Sequence, residues 1–285
     1  MENVIELQHI QKSFNGFQIK DFSIHVKKGF VTGFIGGNGA GKSTTIKMIM
    51  NLLQQDSGTI SIFGKSYKKH EKEIKERIGF VYDENIFYEN ITLKDMKKII
   101  KPAYRRWDDK AFQQYVEQFE LPLNKNMKTF SKGMKMKASL AIALAHHAEL
   151  IIMDEPTSGL DPIFRRELLN ILHELMQDGD KTIFFSTHIT TDLDRIADYI
   201  TFIHNGEHIF TKEFYKIQEE YAIVKGSLDL LDRETEQEFV AVRKTNRGFE
   251  ALTANKHRAA TIFGDTVVVE KPTLEDIMYY TKKGW

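Results

Sequence analysis

Residues Gly36 to Ser43 read Gly-Gly-Asn-Gly-Ala-Gly-Lys-Ser, and they constrain the fold more than any other stretch of the chain. They match the pattern G-x-x-x-x-G-K-[ST] of loops that cradle phosphate. Phe30-Val31-Thr32-Gly33-Phe34-Ile35 before them reads as a buried strand, and Thr44 to Met50 after them reads as a helix. The motif requires that strand–loop–helix setting. Glycines at 36, 37, 39 and 41 let the backbone curl and aim N–H groups at an anion near a helix N-terminus. In such a loop Gly36, Gly37, Asn38, Gly39, Ala40, Gly41 and Thr44 surround the phosphates. Lys42 reaches the β- and γ-phosphates, and the Ser43 hydroxyl ligates Mg²⁺.

A chain of 285 residues suits one large domain or a domain with an appendage. Its 41% apolar content is enough for a full core. Lys+Arg and Asp+Glu are both 40, so no global charge argues for a nucleic-acid partner. The absence of cysteine excludes disulfides and Cys-ligated metals. Nothing near the start reads as a signal peptide, and no apolar run approaches the length of a membrane span. A role at a membrane is therefore expected to be peripheral, through docking onto other chains.

Residues 1–84 read as strand-rich: Val4–Leu7 and Phe22–Val26 alternate, and Thr59–Phe63 is an apolar run between glycines. Residues 92–147 switch to helical spacing with many lysines. Leu150–Met153 and Thr182–Phe185 are short apolar runs of the kind found in parallel sheets buried on both faces. Helices are expected over about 163–178 and 190–198. Residues 211–285 are less regular, with strands expected at Glu238–Arg243 and Thr266–Glu270 and a short helix from Thr273.

Leu150-Ile151-Ile152-Met153-Asp154-Glu155 is an apolar strand ending in two carboxylates. Alone it reads equally as a strand running out into an acidic turn. Behind a phosphate loop, an Asp at that place holds Mg²⁺ and a Glu after it can polarise an attacking water. Between the two motifs lies Phe130-Ser131-Lys132-Gly133-Met134, where Ser131 caps a helix expected over 132–147. Pro156-Thr157-Ser158-Gly159-Leu160-Asp161-Pro162 follows Glu155, and Ser186-Thr187-His188 follows the next apolar run. A lone His at a strand end is usually structural.

Taken in order over about residues 3–210, these pieces resemble the nucleotide-binding subunit of an ATP-binding cassette (ABC) transporter. The resemblance implies an α/β fold: an ABC-type P-loop ATPase with a RecA-like core, an antiparallel β subdomain and an α-helical subdomain at about 85–147. Residues 1–210 form the ATPase domain and 211–285 a small α+β C-terminal extension. It implies ATP and Mg²⁺ as cofactors, with Ser43, Asp154 and Asp83 at the metal. Glu155 is the base for the attacking water, His188 touches the γ-phosphate beside Lys42, and Phe14 stacks on adenine with Phe17 as the weaker candidate. Two cassettes pair head to tail, as a homo- or heterodimer, so that Ser131 and Gly133 of one meet the ATP held by the other, and Asp161 communicates across the pair. A transmembrane permease subunit sends a helix into a groove near residues 84–107, where Tyr82, Phe87, Tyr88, Tyr104 and Trp107 are aromatic candidates, although the core claims most such residues. The subunit is then peripheral at the cytoplasmic face of the membrane, with no nucleic-acid partner.

The chain departs from the family pattern at three places, the mildest being Gly37, where Pro is common. Phe-Ser-Lys-Gly-Met at 130–134 replaces the usual Leu-Ser-Gly-Gly-Gln, which resembles ABC-2 type exporters of drugs, antibiotics or peptides. Asp83 stands where the family has a Gln. A carboxylate there adds negative charge beside a triphosphate, which leaves open a nucleotide-sensing cassette with weak hydrolysis and an active partner. A soluble cassette of nucleic-acid metabolism is the other alternative. Against it stand the single copy, the missing cysteines and the mere ninety or so residues, without sustained heptads, between loop and signature.

Overall fold

The computed structural model describes residues 2–82, 88, 90–177 and 179–283. The chain divides into two compact units, Met1–Thr211 and Lys212–Trp285.

Along the first unit run β1 (Asn3–Phe14), β2 (Phe17–Lys27), β3 (Val31–Ile35), α1 (Lys42–Ile49), β4 (Ser57–Ile62), α2 (Tyr67–Glu76) and β5 (Ile78–Val81). Then follow α3 (Leu93–Ile100), α4 (Asp109–Gln118), α5 (Lys132–Ala145), β6 (Leu150–Asp154), α6 (Pro162–Met176), β7 (Thr182–Thr187), α7 (Leu193–Ile196), β8 (Tyr199–His204) and β9 (Glu207–Glu213). Six strands form one sheet in the order β5-β6-β7-β3-β8-β9. Strands β5 to β8 of that sheet pair in parallel, with Ile35 level with Thr187 and Phe202, and Asp154 level with Ser186. Every residue of β3, β6, β7 and β8 is buried, which is why β6 and the middle of β7 read as apolar runs. The antiparallel sheet β2-β1-β4 packs on the same core, where Phe22 meets Phe34 and Phe34 stacks on Phe184.

The helix expected over 190–198 is much shorter. A 3₁₀ turn at Thr190–Asp192 leads into the single turn of α7. Asp198 explains the early stop: its backbone N–H donates to Val31 O at 2.9 Å and its carboxylate accepts from Val31 N at 2.8 Å, drawing the chain into β8.

The second unit contains α8 (Phe214–Glu220), β10 (Ala222–Gly226), α9 (Arg233–Glu236), β11 (Ala241–Thr245), β12 (Gly248–Thr253), α10 (Lys256–Phe263), β13 (Val268–Glu270) and α11 (Leu274–Lys283). From β10 to β13 the order is strand–helix–strand–strand–helix–strand, and the sheet order β11-β12-β10-β13 is antiparallel throughout. That is the split βαβ arrangement of ferredoxin-like modules. Its core is apolar: Val224, Phe239, Phe249, Ala251, Ala259 and Phe263. The strand expected at Glu238–Arg243 begins later, at Ala241, because Phe239 turns inward to stack on Phe263. The terminal helix starts where expected, with Thr273 and Asp276 capping one another.

Candidate functional site

The loop after β3 closes a turn through Ala40 N to Gly37 O and enters α1 at Gly41, whose φ of 111° suits only glycine. Among the described residues no side chain caps α1, which leaves its first-turn N–H groups facing the loop as donors for an anion. Lys42 is only 6% exposed. Its ammonium folds back over the loop, donating to Gly36 O at 2.9 Å and Gly37 O at 3.3 Å, and lies 3.1 Å from Glu155 Oε1.

That glutamate comes from the neighbouring strand end. The β6–β7 pairing brings Asp154 opposite Ser186, and Ser186 Oγ donates to Asp154 Oδ1 at 2.6 Å. Burial pushes the Asp154 carboxyl above the usual carboxylate range, against the hydrogen bonds from Ser186 and Ser43. Ser43 and Asp154 are thus brought together as hard oxygen donors of the kind Mg²⁺ takes. Glu155 sits in the left-handed region at φ 48°, and its N–H donates to Ser186 O at 3.0 Å. This strained turn aims its carboxylate sideways. Oε2 accepts from the backbone N–H of His188 at 3.2 Å and lies 2.7 Å from His188 Nδ1.

Lys42, Glu155 and His188 face an open cleft of about 700 Å³ together with loop residues 37–44, Ser158 and Phe17. Phe17 was the weaker aromatic candidate, yet it lines the cleft. Phe14 is 47% exposed, its ring 6.5 Å from that of Phe17. Ser131 and Gly133 are not among the residues around this cleft. They stand at the start of α5, where Ser131 accepts from Met134 N at 3.1 Å as the expected cap. Gly133 is buried against α6, and a Cβ there would lie 2.8 Å from the Phe164 ring. Asp161 caps α6 by accepting from the N–H groups of Ile163 and Phe164.

Asp83 and Phe87 lie outside the described residues. Of the other aromatics expected near the groove, Tyr88 is exposed and Tyr82 half-buried, while Trp107 bonds Asp109 at 2.9 Å. Tyr104 stacks on buried His146 with ring centres 3.8 Å apart, beside an apolar cavity of about 420 Å³ shared by Phe80, Ile99 and Ile142. Sequence reasoning gave Ser186 and Ser158 no role. The signal for Ser186 was its place two residues before His188, in register with Asp154.

A phosphate loop beneath an acidic strand end, on a parallel sheet flanked by an antiparallel one, defines a P-loop nucleotide-binding protein. The family model described as "ABC transporter" matches residues 19–158. The bacitracin transport ATP-binding protein BcrA of Bacillus licheniformis is 37% identical over 212 residues, 73% of this chain and 69% of that protein. The lantibiotic transport ATP-binding protein SrtF of Streptococcus pyogenes is 32% identical over 222 residues, 74% of this chain and 91% of that protein. A solved ATP-binding subunit of an ABC transporter, 29% identical, superposes with a TM-score of 0.68 over 76% of this chain and 92% of its own. The chain belongs to the ABC transporter family, as an ATPase subunit.

Proposed function

We propose that this chain is the ATP-hydrolysing motor of a membrane exporter whose cargo is a peptide or peptide-like antibiotic. The observation that carries the reading is the Lys42–Glu155–His188 cluster over the phosphate loop. One Glu155 oxygen is 3.1 Å from Lys42 Nζ and the other 2.7 Å from His188 Nδ1. Incoming γ-phosphate oxygens compete with Glu155 and the loop carbonyls for the Lys42 ammonium, which frees Glu155 to face a water. Glu155 then takes the proton of that water, and His188 orients it toward the γ-phosphate. Ser43 and Asp154 would hold Mg²⁺, with Asp83 assigned to the same metal. Mg²⁺ held there would supply positive charge to offset that of the phosphates. Adenine stacks on Phe17, with Phe14 behind it.

Ser131 and Gly133 do not line the cleft of their own chain, which favours a role on ATP held by a second subunit arranged head to tail. ATP shared by both subunits closes the pair, and hydrolysis lets it part. The cavity beside Tyr104 favours a permease segment docking near residues 84–107, which makes the subunit peripheral on the cytoplasmic face. Cargo class follows from the bacitracin and lantibiotic transport relatives. The test is Mg²⁺-dependent ATP hydrolysis by the purified chain, alone and co-expressed with its membrane partner. Turnover that vanishes in Glu155→Gln and changes with the partner supports the motor; ATP binding without turnover in either setting sinks it.

A further inference from the structure

Two chain arcs leave the reactive end of the site. From Glu155 one arc passes Ser158, whose N–H donates to Glu155 O at 3.1 Å, and reaches Asp161 at the cap of α6. From His188 the other passes through the 3₁₀ turn Thr190–Asp192. The near ends of the arcs are tied by the Glu155–His188 contact. The far ends are tied as well. Arg165, in the first turn of α6, directs Nε to Asp192 Oδ1 at 2.5 Å and a terminal nitrogen to Thr191 Oγ1 at 2.8 Å. Asp192 is fully buried, and its second carboxylate oxygen has no hydrogen-bond partner among the described residues.

A buried carboxylate with one oxygen unsatisfied is a poor source of stability. A planar guanidinium forked onto two neighbouring residues is a good way to fix one segment against another. We propose that Arg165 and Asp192 are positioning residues of the ATPase. They touch no nucleotide but hold the arcs in register, so that Glu155 and His188 keep the mutual geometry that water attack needs. The inference rests on the roles proposed above for Glu155 and His188. Small losses of alignment cost rate rather than binding.

The test compares the purified full chain with Arg165→Met, Asp192→Asn, the double variant and Arg165→Lys. Mg²⁺-ATP turnover, affinity for a fluorescent ADP analogue and thermal melting are measured for each. Arg165→Met alone strands a buried charge and lowers both melting temperature and turnover. The double variant strands none. It is expected to melt close to the wild type and to bind ADP within about twofold, while kcat falls about tenfold or more and KM for ATP stays within about twofold. Arg165→Lys keeps the charge but not the fork and recovers folding with only part of kcat. A well-folded double variant with wild-type kcat overturns the proposal. If the double variant does not fold, Asp192→Asn decides, since its Arg partner is 28% exposed and can be hydrated. A wild-type chain without turnover overturns instead the underlying reading of Glu155 and His188.

Discussion

Among the described residues, only the first of the chain's two units crowds charged groups out of solvent. In Met1–Thr211, Lys42, Asp154 and Glu155 are buried or nearly so and crowd against one another and His188 at the ends of parallel strands, with Glu155 on a strained backbone. In Lys212–Trp285, the described ion pairs lie at the surface: Arg258 with Glu238, Lys225 with Glu270, Lys244 with Glu236. The interior of that unit is apolar. Groups held close together and under strain mark a place built to bind and react, whereas satisfied surface pairs around an apolar core mark a unit built to pack. Chemistry should therefore be lost from the first unit by changes that barely affect its folding. The second should lose folding without losing chemistry.

The largest expected effect tests the first half of that contrast. Glu155→Gln keeps the side-chain shape and removes the carboxylate proposed as the base, so turnover is expected to fall by about a hundredfold or more while ATP still binds. A Glu155→Gln variant that turns over normally would show that crowding at this site serves structure alone.

Next comes the second half. Gly248 opens the β12 side of the β11–β12 hairpin at φ 139°, and a Cβ there would lie 2.2 Å from Gly226 O. Gly248→Ala must shift β12 away from β10, at a cost of about 2–4 kcal/mol. Amide exchange in β10 and β12 should accelerate accordingly, with ATP turnover of the first unit kept within about twofold. Turnover collapsing with the hairpin would dissolve the division of labour.

Acid separates the units by a smaller margin. Burial holds His146, in the first unit, down to about 4. Its folded pKa lies below the unfolded value of 6.5, so the unfolded chain takes up the proton first as pH falls. The contribution is complete above pH 6.5 and is lost between 6.5 and about 4, amounting to about 3 kcal/mol. Burial lowers His208 in the same unit as well. The second unit carries one histidine, His257, which is exposed. Amide exchange between pH 7 and 4.5 should therefore loosen α5 well before β10 and β12; equal loosening would remove the contrast.

The same contrast governs what could be read from the sequence. Where residue types follow a motif, as at Gly36–Ser43 and Asp154–Glu155, the letters are legible in order. Fully buried strands such as β6 and β7 announce themselves by apolar runs. Packing alone leaves weaker marks. β10 is only Ala-Ile-Val-Lys-Gly, and β12 opens on a glycine needed for a close approach, so neither was visible. Which of Phe14 and Phe17 faces the cleft is not written in the sequence either: β1 shifts register between Leu7 and Ile10 and again between Ile10 and Lys12. Counting alternate residues across such irregularities does not give the face. The Arg165–Asp192 tie joins residues 27 positions apart and carries no local pattern at all.

The smallest effect is the sharpest check on the second unit. Arg258 and Glu238 form a two-pronged pair at the surface, and the guanidinium beside Glu238 holds its carboxyl below the usual range. Exposed pairs of this kind gain little, because water and salt screen them and two long side chains must be ordered to make them. Arg258→Gln should leave both the exchange of β12 and ATP turnover indistinguishable from the wild type at physiological ionic strength. If it loosened the second unit as much as Gly248→Ala does, that unit would depend on its surface charges rather than on Phe239, Phe249 and Phe263. The two halves of the chain would then be held by the same kind of force.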